Sequence, residues 1–317
     1  MNNIEYLIVS STIDYSTDLI CIELEKNGSA YLRLNRDKFS TYKVMYDLQK
    51  RTLYITINKQ EYYIDDNLKA VYFRAPVFLR SSKKYTVEEQ LYRSQWNAFI
   101  RNLVIFKKAN WINYPPHTYE AENKIYQLNV AKNVGLYVPN TILANYNTNG
   151  IDEKEKYIVK SIDTALFYDN EIEMFAYSEI VMGSLIKQSE LSQAPVIIQE
   201  LLKDKLDIRV TVIGEKIFPV AISENGHNIV GDWRKNDKDK LQYMSIELPS
   251  DIVSKIKSLM RTLGLKFGGV DLALSNGKYY FIEINPTGEW GWLVHCAKVD
   301  IPRAIVDEMM GENRWIE

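Results

Sequence analysis

The segment from Gly268 to Pro286 places acidic and amide side chains inside otherwise apolar runs: Asp271 in Val-Asp-Leu-Ala-Leu, and Glu283 and Asn285 in Phe-Ile-Glu-Ile-Asn. Strand alternation puts Glu283 and Asn285 on one face, because side chains two apart point the same way. Whether Asp271 joins them depends on the turn at Ser275–Gly277. A strict two-residue Asn276-Gly277 loop pairs Asp271 with Ile282 and sends Glu283 to the opposite side. A three-residue loop, with Gly277 left-handed at a bulge, pairs Asp271 with Phe281 and makes Glu283 its diagonal same-face neighbour. The spacing predicts the three-residue form. Two carboxylates and an amide oxygen then converge as hard ligands of the kind Mg2+ takes when phosphates complete its shell. The plain alternative is an edge hairpin whose polar residues face water, but carboxylates amid apolar runs are costly to bury unless paired or metal-bound.

A second group lies upstream, in Ile197-Ile-Gln-Glu-Leu-Leu202 and Asp207-Ile-Arg-Val-Thr-Val-Ile213. Asp207 and Arg209 share a strand face, while Ile208, Val210 and Val212 point into a core. An aspartate and an arginine so placed can hold a ribose hydroxyl and meet an anion; a surface ion pair fits the fragment equally well. Arg234, Lys235 and Asn236 lie in a polar loop that can grip phosphate. Lys160 ends the strand-like Tyr-Ile-Val-Lys, and Lys124 opens a helical turn after Glu122-Asn123. His117, His227 and His295 show no metal-ligand spacing.

The elements that carry these residues read as mixed α/β. Strands are expected at Ile4–Ser10, Ala30–Leu34 and Ala70–Arg74, a helix at Asp18–Asn27, and a hairpin from Leu53–Ile57 and Tyr62–Ile64. Thr86 with Glu89 offers a capping box for a helix to about Lys107, with Leu91, Phe99, Ile100, Leu103 and Phe106 as its buried stripe. Pro115-Pro116 marks a boundary. A helix from about Tyr119 to Val134 follows, capped by Gly135. A strand at Tyr157–Ser161 leads to an acidic stretch, 162–190, that suits a hairpin and linker. Strands at Val196–Gln199, Ile208–Ile213, Ile217–Ile222, Gly269–Leu274 and Tyr279–Asn285, and a helix at about Asp251–Leu263, complete the set. This divides the chain into 1–115, 116–195 and 196–317.

The ordered set Lys124, Lys160, Gln199-Glu-Leu-Leu202, Asp207-x-Arg209, Arg234-Lys-Asn236, Asp271 and Glu283-x-Asn285 resembles the ATP-grasp ligase superfamily over about residues 115–290. Tyr72-Phe-Arg-Ala-Pro76 and Asn285-Pro-Thr-Gly-Glu-Trp290 narrow the resemblance to the graspetide branch, the microviridin- and plesiocin-type peptide macrocyclases. The ribosomal-protein glutamate ligase branch is close behind. The resemblance implies an ATP-grasp fold behind an N-terminal α/β pre-ATP-grasp domain. It implies ATP and Mg2+ as cofactors, a precursor peptide of leader and core as partner, and a homodimer.

Roles follow from the same resemblance. Lys124 and Lys160 would contact nucleotide phosphates. Gln199, Glu200, Leu201 and Leu202 would form the hinge that meets adenine, and Asp207 would hold ribose. Arg234, Lys235 and Asn236 would approach the triphosphate. Asp271, Glu283 and Asn285 would bind Mg2+. Arg209, with Arg234 a catalytic candidate, would steady the acceptor carboxylate or its acyl phosphate. Arg74 and Arg80 are candidates for peptide carboxylates across the cleft. Residues 161–190 would form the lid, with Ser161 or Thr164 replacing a glycine-rich phosphate loop, and their Glu171 and Glu173 suit a basic or helical leader. The activity implied is ATP-dependent activation of Asp or Glu side chains, followed by ester or amide closure with Thr, Ser or Lys. The rivals are an amino-acid-conjugating ligase, a non-catalytic peptide-binding module, and a kinase that stops at phosphate transfer.

Composition agrees with such an enzyme. The 317 residues carry 39 Lys+Arg against 41 Asp+Glu, a net charge of −2 that argues against coating nucleic acid. With 46% apolar residues, wholly disordered, collagen-like and coiled-coil chains are excluded. Cys21 and Cys296 are too few for a disulfide framework. No signal peptide or membrane span is legible, and a cytoplasmic protein is expected.

Overall fold

Tyr6–Ser10, Tyr31–Asn35, Ala70–Phe73 and Asn110–Ile112 form a parallel sheet, with Tyr6–Ser10 between Tyr31–Asn35 and Ala70–Phe73. The computed structural model describes residues 1–74, 85–163, 166–169, 172–189 and 191–311. Arg80, Thr164 and Glu171, and the side chain of Glu173, lie outside the described residues.

Parallel strands are covered on both faces and so read as continuous apolar runs. Leu7 and Val9 point to one side, into a core shared with Leu53, Ile55, Ile64, Ile100, Leu103 and Trp111. Tyr6 and Ile8 point to the other, against Ile20, Leu24, Trp290, Leu293, Ile301 and Ile305. The second core therefore joins the first part of the chain to its last two helices, Gly291–Cys296 and Ile301–Met310, which the sequence pattern did not reveal.

Other elements fall near their expected places. Asp14 caps Tyr15–Lys26, accepting from the Thr17 amide at 3.1 Å. Thr86 and Glu89 form the capping box of Val87–Asn102. Leu91, however, is 56% exposed and not part of the buried stripe. The helix expected at 119–134 is two, Pro115–Ala121 and Lys124–Asn133, broken at Glu122-Asn123. The double proline opens the first of them, because a missing N–H costs nothing in a first turn.

Thr141–Ala144, Lys156–Lys160, Glu179–Met182 and Val196–Glu200 form an antiparallel sheet, and Leu166–Asp169 pairs with Ile172–Phe175 as a separate hairpin. A five-stranded antiparallel sheet follows, in the order Leu241–Ser245, Lys216–Glu224, Leu206–Ile213, Phe267–Ser275, Lys278–Asn285. Its inner face packs Ile208, Val210, Val212, Val270 and Ile284 against Lys124–Asn133 and the amphipathic helix Ser250–Thr262. Its outer face carries Asp207, Arg209 and Asp271 beside Ile213, Val220 and Phe267 of the second core. Among the described residues no helix is long and apolar enough to cross a membrane.

Two buried amides lock the last hairpin. Asn113 accepts from the Lys266 and Phe267 amides at 2.8 and 2.9 Å and donates to the Phe267 and Pro286 carbonyls at 2.8 and 2.9 Å. Gln127 accepts from the Ile284 amide at 3.1 Å and donates to its carbonyl at 2.8 Å. An Asn113→Ala substitution strands these backbone groups, and a loss of about 3 kcal/mol in chemical denaturation is expected.

Candidate active site

The turn between Phe267–Ser275 and Lys278–Asn285 is a two-residue one, and it corrects the expected three-residue loop. Asn276 and Gly277 have φ of 49° and 72°, both left-handed, as a type I′ hairpin turn requires. Ser275 pairs with Lys278 and the ladder runs in step to Leu272–Phe281. There a bulge admits Ile282 as an extra residue, and Asp271 faces Glu283 directly. The same-face grouping is present, produced by a bulge within the strand instead of one at the turn. Asn285 Nδ2 lies 3.4 Å from Asp271 Oδ2 and 3.3 Å from Glu283 Oε1.

Cations surround this pair. Across the sheet Arg209 is directly opposite Asp271, and its Nη1 donates to both carboxylate oxygens at 3.0 Å. Glycine is needed beside it: a Cβ on Gly269 or on Gly288 would overlap Arg209 Nη2. Glu283 accepts from Lys124 Nζ at 3.0 Å and from Arg234 Nη1 at 3.5 Å. Burial raises the Glu283 pKa, but Lys124, Arg234 and Lys160 outweigh it and hold the carboxyl far below the usual range. Asp271 goes the other way: burial pushes it up, Arg209 opposes, and Glu283 adds to the rise. Among the described residues no group of three His, Cys, Asp or Glu side chains gathers at one point. The donor set here is two carboxylates, with the Asn285 amide turning its Nδ2 to both, and the paired carboxylates suit a hard cation completed by phosphate oxygens.

These groups line a cavity of about 910 Å3. Lys124, Lys160, Gln199, Glu200, Leu201, Leu202, Asp207, Arg234, Asp271, Glu283 and Asn285 all contribute to its wall. Such a volume admits a nucleotide-sized ligand. Lys160 Nζ donates to Gln199 Oε1 at 3.0 Å, and Gln199 Nε2 donates to Thr141 Oγ1 at 2.8 Å. Burial pushes the Lys160 ammonium down to about 8, opposed by Glu283 and reinforced by Lys124 and Arg234. Burial likewise pushes Asp207 up to about 6, against the pull of Lys205.

The Lys160 shift carries a pH consequence. A phosphate prefers the charged ammonium, so the affinity of a phosphate-bearing ligand placed at Lys160 is expected to fall as the pH rises through about 8. Above that pH, binding should take up a proton, read by calorimetry in buffers of unequal ionisation enthalpy. Affinity independent of pH across that window would contradict the placement of Lys160.

Some expected residues are elsewhere. Lys235 pairs with Glu179, and Asn236 donates to Glu224 at 2.9 Å; neither lines the cavity. Arg74 is not at the cavity wall either. Its buried guanidinium bonds Asp14 at 3.1 Å, the Thr287 and Gly288 carbonyls at 3.0 Å each, and Glu289. Among the described residues the guanidinium is turned to these partners and away from the cavity, so its placement lends the peptide role no support.

Other residues were missed. Lys205 grips Asp207. Asp232 caps Trp233–Lys235 and holds Arg234 through Nε and Nη2, both at 2.9 Å. Asp232-x-Arg234 in a polar loop was the available signal, since aspartate bonds its own backbone two residues on.

No family model matches the chain. It is 25% identical over 143 residues to a probable alpha-L-glutamate ligase of Haemophilus ducreyi, an alignment that takes in 44% of this chain. The match covers only 46% of that relative's length. The whole-chain likenesses are to solved structures, and they define the class: the chain has the ATP-grasp fold. The macrocyclase MdnC of Microcystis aeruginosa, bound with precursor peptide MdnA, superposes with a TM-score of 0.80 at 24% identity, covering 96% of this chain and 98% of that one. A RiPP-associated ATP-grasp ligase of Chryseobacterium gregarium, in complex with ADP and a leader and core peptide, gives 0.80 at 23%, covering 98% and 96%. The ATP-grasp ligase PsnB, with a phosphomimetic variant of its minimal precursor, Mg and ADP, gives 0.77 at 18%, covering 99% and 100%.

Proposed function

We propose that the chain is an ATP-dependent peptide ligase. It activates Asp or Glu side chains of a ribosomally made precursor as acyl phosphates and closes macrocyclic esters with Thr or Ser, or amides with Lys. The observation that carries this reading is the meeting of Asp271, Glu283 and Asn285 with Lys124, Lys160 and Arg234 on one cavity wall, with Arg209 buried behind Asp271. The likeness of nearly the whole chain to peptide-bound macrocyclases supports the substrate class.

The chemistry balances as two displacements. A substrate carboxylate oxygen attacks the γ-phosphorus, the bond to the bridging oxygen breaks, and ADP departs. A hydroxyl or amine of the same peptide then attacks the acyl carbon, and the bond to phosphate breaks. The nucleophile's proton leaves with the phosphate or to solvent.

This chain's residues divide the labour. The Gln199–Leu202 edge takes adenine and Asp207 the ribose. Lys160, Lys124 and Arg234 bind the phosphates, which cationic side chains stabilise as charge spreads over the transferring oxygens. Arg209 orients the acceptor carboxylate. Asp271, Glu283 and Asn285 would hold Mg2+, which supplies charge neutralisation on the triphosphate. Asp163, Tyr177 and Ser178, on either side of the 166–175 hairpin, line the cavity. That supports the hairpin as the lid that keeps water from the acyl phosphate. The division at 115 and 195, a cytoplasmic location and a homodimer belong to the same proposal.

The partial match to a glutamate ligase favours one second reading, conjugation of an amino acid to a protein tail. Product mass separates the two. Macrocyclisation removes one water per bond and adds nothing, and mass spectrometry of a precursor treated with ATP is expected to show that loss. A gain of one amino-acid residue would establish conjugation instead.

A further inference from the structure

We propose that Arg74 is a positioning residue, which holds the Thr287-Gly288 turn against Arg209 and so fixes the fork facing Asp271. The inference rests on the proposed ligase activity for its kinetic consequence, but not for its geometry.

Arg74 leaves the end of the central parallel sheet, just after Ala70–Phe73. Only 6% of its side chain is exposed. One side of the guanidinium is anchored: Nε donates to Asp14, itself fixed by Ser10 Oγ at 2.8 Å, Thr17 Oγ1 at 2.9 Å and the Thr17 amide at 3.1 Å. The other side reaches across to a segment distant in sequence. Nη1 donates to the Thr287 and Gly288 carbonyls, and Nη2 pairs with Glu289. A planar fork with five donors can satisfy these partners together, and a lysine ammonium cannot match their directions.

The gripped turn is the roof of the Arg209 slot. Gly288 lies so close that a Cβ there would overlap Arg209 Nη2, and the same Nη2 is 3.4 Å from the Glu289 carbonyl. Gly269 closes the slot from the sheet side. The Gly288 amide also donates to the Asn285 carbonyl at 3.1 Å, which ties the turn to the oxygen set. Residues 286–290 have no helix or strand of their own. Their backbone conformation depends on such ties, and Ser16 adds another by donating to Glu289 at 2.8 Å and accepting from the Gly291 amide at 3.1 Å. Loss of Arg74 frees the roof while the adenine edge, Asp207 and the phosphate lysines stay untouched.

The test compares Arg74→Gln, Arg74→Lys and Gly288→Ala with the parent chain by two readouts. The first is activity-independent: amide hydrogen exchange over 286–290 should accelerate in Arg74→Gln. The second is kinetic. A displacement of about 1 Å at reacting groups costs up to about a hundredfold. Arg74→Gln should therefore lower kcat for acyl-phosphate formation at least about tenfold, with nucleotide Kd unchanged and partial rescue in Arg74→Lys. Gly288→Ala intrudes on Arg209 without disturbing Asp14, and should show the same kcat loss, which links the roof to Arg209; Arg74→Lys, with a smaller loss and faster exchange over 286–290 than the parent, decides the tether if Arg74→Gln does not fold. Parental kcat in the folded variants, unchanged exchange over 286–290, or a parallel fall in nucleotide affinity would overturn the proposal. A parent chain that accelerates no ATP-dependent ligation would overturn the proposed function instead, with the exchange readout still deciding the tether.

Discussion

Glu283→Gln is expected to abolish ATP-dependent ligation while leaving a folded protein. The carboxylate faces Asp271 and is met by Lys124 and Arg234, with Lys160 near enough to help hold it ionised. The amide keeps the shape and removes the negative charge. Three cations then lose their shared anion, and one of the oxygens proposed to hold Mg2+ becomes a weak ligand. Removal of one preorganised electrostatic group costs about a hundredfold to a thousandfold in rate, and loss of a proposed metal ligand adds to it. Lys124 and Arg234 both reach solvent, so the unpaired charges are partly relieved by water and the fold should survive. ADP release with a precursor peptide and the helical signal in circular dichroism check the two halves of this expectation. Ligation within about twofold of the parent would remove Glu283 from the machinery.

Arg209→Lys is expected to separate binding from transfer. The lysine retains a positive charge for Asp271, which matters because stranding a buried carboxylate costs about 3–5 kcal/mol. What it loses is the planar fork, whose Nη1 meets both Asp271 oxygens while Nη2 packs between Gly269 and Gly288. Nucleotide affinity should be close to that of the parent, because the proposed adenine edge and phosphate lysines line the cavity and Arg209 does not. Crosslinking should fall by about two orders of magnitude, as expected when an orienting group is misplaced. An affinity loss as steep as that of Lys160→Ala would contradict the division of labour.

Much of this site was legible because strand alternation is rigid. Asp207 and Arg209 on one face, with Ile208, Val210 and Val212 in the core, follow from side-chain direction alone. The Thr86–Glu89 box was legible for a similar local reason. The hairpin register was not. A bulge at Ile282 depends on how two strands twist against the rest of the sheet, and no local residue announces it. The fate of Arg74 was equally hidden, since its partners Thr287 and Gly288 are more than two hundred positions away. Lys235 and Asn236 beside Arg234 looked alike in sequence, but the short helical turn capped by Asp232 points only Arg234 toward Glu283. The helices Gly291–Cys296 and Ile301–Met310 escaped notice because both are short, and their apolar faces are completed by the distant parallel sheet.

A crystal structure with Mg2+ and a non-hydrolysable ATP analogue tests the central claim most directly. The account predicts an octahedral ion at about 2.0–2.1 Å from Asp271, Glu283 or Asn285 oxygens, its shell completed by phosphate oxygens and water. Nucleotide bound with its phosphates remote from these side chains, or with no divalent ion among them, would contradict it.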